Sequence, residues 1–81
     1  MDSKSILKDN FDKIHTTELG IVRIKKNLKL DNIDVVEYIK NLILDDKSTS
    51  YKNGKNHYVE IDDKIITINS FNYCVITAHK K

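Results

Sequence analysis

Proline is absent from this chain, glycine occurs only at Gly20 and Gly54, and there is one cysteine, Cys74. No Pro/Gly-rich linker, low-complexity segment or internal repeat is visible. A single cysteine excludes an internal disulfide and any cysteine-based zinc site. A lone thiol in an apolar strand fits a reducing compartment, so a cytoplasmic location is expected. No apolar run approaches the ~20 residues that span a bilayer. The amphipathic start after Met1-Asp2-Ser3-Lys4 does not read as a signal peptide, and no membrane association is expected. A net charge of +2 is too small to mark a nucleic-acid binder by itself. Arginine is scarce as well: Arg23 stands alone where lysine is used everywhere else.

Eighty-one residues have room for one domain, expected over 1–81, with a helical part at 3–46 and a β-meander at 49–79. A chain this short buries little more than half of its unfolded surface, so its stability margin should be thin.

The first half carries a helical period. Ile6, Leu7, Phe11 and Ile14 share one face, and His15 closes that helix. Thr17 caps a second helix with Glu18 in its first turn and Ile21, Ile24 and Leu28 on its apolar face. Asp31 or Asn32 caps a third, whose stripe is Val35, Val36, Ile39, Leu42 and Ile43.

The second half switches to a period of two. Thr49–Lys52 and Asn56–Ile61 flank Asn53-Gly54, a type I′ hairpin signal. Asp62-Asp63-Lys64 turns into Ile65–Asn69, and the polar tip Ser70-Phe71-Asn72 leads to Tyr73–His79. The expectation is an α+β fold: three N-terminal helices, then a three- to four-stranded antiparallel meander covered on one face. Alternation puts Val59, Ile61, Ile66, Ile68, Cys74, Ile76 and Ala78 in the core. It leaves Tyr58, Glu60, Ile65, Thr67, Asn69, Tyr73, Val75, Thr77 and His79 on the open face.

That open face suggests chemistry. His15, Glu60 and His79 are the acid–base candidates, because proton transfer needs a carboxylate or imidazole beside the reacting atom. Arg23 suits bidentate phosphate contact better than the lysines around it, and Tyr73 and Thr77 could position a phosphate or ribose hydroxyl. Such a set suffices for metal-free RNA cleavage, in which the RNA's own 2′-hydroxyl attacks. Structural readings stand beside each assignment. His15 and Thr17 also make sense as helix punctuation. Glu60 suits a cross-strand ion pair, Arg23 an ion pair, and Lys25, Lys26 and Lys29 a solvated helix face. The histidines at 15, 57 and 79 share no ligand spacing, and there is no glycine-rich phosphate loop or dinucleotide fingerprint. Neither a metal nor a cofactor is expected.

His15-Thr16-Thr17-Glu18-Leu19-Gly20, Arg23-Ile24, Asn27-Leu28, Gly54-Lys55-Asn56, Ile66-Thr67-Ile68-Asn69-Ser70 and Val75-Ile76-Thr77-Ala78-His79 together resemble an uncharacterised bacterial family of small domains of unknown function. The resemblance covers nearly the whole length. A more distant similarity is to the fold of barnase, colicin-type and RelE-like ribonucleases, matched by His15, Arg23 and Thr77-Ala78. It implies an RNA-directed protein, with RNA as partner. The alternative is a non-catalytic module that binds a protein or a second copy through Tyr58, Ile65, Tyr73 and Val75.

Overall fold

The computed structural model describes residues 3–81. Helix α1 spans Ser3–Asp9, α2 Glu18–Leu28 and α3 Val35–Leu44, with a 3₁₀ turn at Phe11–Lys13. Strands β1 (Thr49–Asn53), β2 (Asn56–Ile61), β3 (Lys64–Asn69) and β4 (Val75–Lys80) form one antiparallel sheet in chain order. The expected α+β arrangement is therefore observed, with four strands in the meander. No described helix is long and apolar enough to cross a membrane.

The helices pack on one sheet face around Leu7, Ile14, Ile24, Leu28, Val35, Ile39, Ile43, Val59, Ile66, Ile68, Val75 and Ala78. Leu7, Ile24, Ile39 and Ile43 are fully buried, as their helical spacing predicts. Burial of such side chains contributes roughly 1.5–3 kcal/mol each against exposure.

Helix boundaries follow local hydrogen bonding. The Asn10 carboxamide donates to the Ile6 carbonyl at 2.8 Å and ends α1. His15 therefore does not close a helix; residues 14–16 run extended toward α2. Thr17 caps α2 as expected, accepting from the Gly20 N–H at 3.0 Å. The cap of α3 is Asp34 rather than Asp31 or Asn32: its carboxylate accepts from the Glu37 N–H, and Asp34 with Glu37 has the spacing of a capping box.

Both tight hairpins have two-residue loops with a positive φ at the first position. These are Gly54 (φ 64°) between Asn53 and Asn56, and Asp62 (φ 52°) between Ile61 and Lys64. The first turn is centred one residue later than expected, on Gly54-Lys55, because Asn53 pairs with Asn56 as the last rung of the ladder.

The largest correction lies in β4. Thr67 pairs with Thr77, but Ile68 pairs with Val75, so Ile76 is the extra residue of a β-bulge. The bulge inverts the alternation expected before it. Val75 is in the core at 1% exposure, Ile76 is 46% exposed, and Ala78 stays buried. Cys74, expected to be buried, is only partly so. Tyr73 has φ 59°, and its ring stacks on that of His57 with centroids 6.4 Å apart. His57 is fully buried and hydrogen-bonded to Ser3 of α1, so Tyr73 is turned to the helix side of the sheet. Tyr73 and Val75 therefore leave the open face on which the sequence pattern put them.

Candidate functional site

The open face of the sheet is organised in cross-strand rows. One row is Thr49, Glu60, Ile65 and His79; the next is Tyr51, Tyr58, Thr67 and Thr77. Tyr51 and Tyr58 stack with centroids 5.4 Å apart and an interplanar angle of 20°. Their stacking follows from direct opposition across β1 and β2. Thr67, inside the second row, is only 8% exposed.

His15 reaches the same face by a long-range pairing. It forms a parallel bridge with Cys74 beside β4: the Val75 N–H donates to the His15 carbonyl at 2.7 Å, and the His15 N–H to the Tyr73 carbonyl at 3.3 Å. Ile14 and Val75, the next residues on each chain, point into the core. Alternation then turns His15 and Cys74 to the open side. The exposed His15 ring is held by Nδ1, 2.8 Å from the Lys13 carbonyl.

Thr16 and α2 continue this seal along β4. The Thr16 hydroxyl donates to the Val75 carbonyl at 3.0 Å, and the Asn27 carboxamide to the Ala78 carbonyl at 3.2 Å. Arg23 is exposed one helical turn before Asn27, on the flank of α2 that adjoins β4.

Four expected site residues, His15, Glu60, Thr77 and His79, thus share the open face, with Arg23 at its margin; Tyr73 is elsewhere. They do not converge on one point. His15 opposite Cys74 and His79 are separated by five residues of chain, roughly 15 Å of strand. Glu60 and His79 lie two strands apart with Ile65 between them, about 10 Å.

Glu60 is also committed. It pairs with Lys81, and that pairing, together with the nearby Tyr51 hydroxyl, holds its carboxyl below the usual range. The Glu60 carboxylate in turn raises the Tyr51 phenol. An ion pair is the structural reading of Glu60, but its partner is Lys81, beyond the end of β4, and not a lysine directly across the strands, where Thr49 and Ile65 stand.

Other residues were overlooked in the sequence. His57 lies in the alternation His57-Tyr58-Val59-Glu60-Ile61, which would have put it in the core beside Val59 and Ile61. Burial, and after it the charge of Lys52, pushes its imidazole below the ordinary value. Asn69 has no such signal; its carboxamide oxygen accepts from the Phe71 and Asn72 N–H groups and shapes the β3–β4 loop. A shallow hollow of about 270 Å³ lies at the start of α3, lined by Ile33, Asp34, Glu37, Tyr38 and Asn41, and no expected site residue borders it. Among the described residues no group of three or more His, Cys, Asp or Glu side chains could hold a metal ion.

Residues 8–79 match the family described as protein of unknown function (DUF3781), and the chain belongs to that family. No curated protein and no solved structure matches it.

Proposed function

We propose that this member of the DUF3781 family binds single-stranded RNA across the open face of its sheet, as a binder rather than a nuclease. The carrying observation is the His15–Cys74 bridge, which adds His15 to a face already bearing the Tyr51–Tyr58 stack, Thr67, Thr77 and His79. An antiparallel sheet face with exposed aromatics offers bases a stacking platform, and flanking hydroxyls and imidazoles suit the 2′-hydroxyl and backbone. Arg23 supplies a guanidinium for phosphate at the margin.

Spacing argues for binding over cleavage. A separation of roughly 15 Å between the His15 and His79 positions serves successive nucleotides, not one scissile phosphate. Glu60, neutralised by Lys81 and lowered in basicity, is a poor general base.

Anisotropy with a labelled, uridine-rich RNA octamer tests the reading. Tyr58→Ala should weaken binding about tenfold, the loss of one base–aromatic stack, whereas Tyr58→Phe should not. Few cations line the face, so the salt dependence should be shallow. RNA left unbound at about 100 µM protein would overturn the proposal, since even non-specific complexes reach that range. Cleavage of the same RNA would reinstate the nuclease.

A protein contact is the second reading, favoured by Ile76, which the bulge leaves 46% exposed on this face. It gains if the RNA is ignored and Ile76→Lys abolishes self-association in sedimentation.

A further inference from the structure

The sheet has two outer strands, and among the described residues only β4 is closed along its edge. The His15 bridge, the Thr16 hydroxyl and the Asn27 carboxamide occupy backbone groups of that edge. Along β1, no hydrogen bond from any other described residue reaches the outward backbone groups.

The hairpin fixes which groups those are. Its two-residue loop makes Asn53 and Asn56 a hydrogen-bonded pair, so Thr49, Tyr51 and Asn53 spend their backbone groups on β2. Ser50 and Lys52 therefore present their N–H and C=O groups outward.

We propose that β1 pairs antiparallel with β1 of a second copy, about a two-fold axis at Tyr51. Ser50 then faces Lys52 of the other chain on both sides of the axis, and each such pair exchanges two N–H···O=C bonds. The outward groups of β1 are those this register requires.

Side chains fit the same register. The Ser50 hydroxyl is buried without a hydrogen-bond partner. Lys52 is exposed and makes no hydrogen bond or ion pair with any described residue. Both side chains stand on the helix side of β1, opposite Val59 and His57. Direct opposition sets Lys52 of one copy beside Ser50 of the other, and a turn of the serine about its Cα–Cβ bond would bring its orphaned hydroxyl within reach of the ammonium. A lysine on an edge strand usually guards against such pairing. Here it is the only charge on β1 and falls opposite a serine, not opposite itself. On the open side, Tyr51 is 41% exposed and would meet its own copy as a non-hydrogen-bonded pair, where side chains approach closest. The Tyr58–Tyr51 stack would become a row of four rings across two sheets.

The contact is short, about 17 Å of strand, and falls below the ~1,200 Å² of standard complexes. A weak dimer is expected, so sedimentation of the full chain should run from about 10 µM to about 1 mM. The mass should rise from monomer to dimer over that range. Ser50→Pro removes one outward donor at a position where an edge strand tolerates proline, and should weaken the dimer at least tenfold with unchanged circular dichroism. An independent arm uses Tyr51→Cys in a Cys74→Ser background. Mild oxidation should give a covalent dimer, whereas Thr49→Cys, opposite Asn53 of the second copy, should not. A monomer at every concentration, or equal cross-linking at both positions, would overturn the proposal. So would a dimer untouched by Ser50→Pro. If that variant unfolds, the cysteine pair decides.

Discussion

The two outer strands of this sheet have the same backbone and different surroundings. β4 is the richer in apolar side chains, and its edge is occupied by a bridge, a hydroxyl and a carboxamide. β1 is short, mostly polar and, among the described residues, open. The difference teaches what the segment His15-Thr16-Thr17-Glu18-Leu19-Gly20 does in the fold. His15 pairs with the strand, Thr16 bonds its carbonyl, Thr17 caps the helix, and Gly20 leaves the space they need. An unsealed apolar edge would invite pairing with other chains.

The two glycines give the sharpest way to break this comparison. A Cβ at Gly20 would overlap the Thr16 hydroxyl and crowd that of Thr17. Gly20→Val should therefore cost about 3 kcal/mol in urea unfolding, despite any gain in helix propensity. At the open edge Gly54 has empty space around it but a φ of 64°. Gly54→Ala should cost about 1–2 kcal/mol through backbone strain, and Gly54→Asn distinctly less. If Gly20→Val is harmless, the seal is not tight.

Thr16→Val keeps the shape and removes the hydrogen bond to Val75. A loss of about 1 kcal/mol is expected, with faster amide exchange along β4 and none along β1.

Acid should act from the β1 side. His57 on β2 is buried in the core and lies opposite Lys52 of β1, so the fold favours its neutral form. Its native pKa is lowered, so on acidification the unfolded chain takes up the proton first. Stability should fall as pH drops below about 6.5, until the native imidazole is also protonated. Urea midpoints at pH 7.5 and pH 5.5 would show it, and His57→Gln should flatten the dependence.

The smallest effect is expected on the open face. Glu60→Gln removes an exposed pair with Lys81, and the melting midpoint should stay within experimental error. A clear drop would mean that the face is held more rigidly than its exposure implies.

Much of this architecture was legible from local pattern. Val59 with Ile61, and Ile66 with Ile68, declare their face by alternation, and Ile24, Ile39 and Ile43 by helical spacing. Thr17 as a cap is equally local. What escaped depends on partners distant in the chain or on backbone dihedrals without a residue signature. The bulge at Ile76 has no glycine to announce it, and Tyr73 adopts a positive φ that tyrosine rarely accepts. The same two features decided the face of Tyr73 and Val75. His15 read naturally as a helix end because its pairing partner, Cys74, lies in the second half of the sequence.

That pairing has a consequence for how the chain acquires its structure. α2 docks on β4, the last of the four strands, and the His15 bridge closes only when β4 is present. During synthesis the apolar side of α2 must wait for nearly the whole meander to be made. Hairpins β1–β2 and β2–β3 can zip locally, but the step that joins the two halves spans most of the sequence and closes a long loop. Folding should thus be limited by the arrival of β4, leaving α2 as a client for chaperones until then.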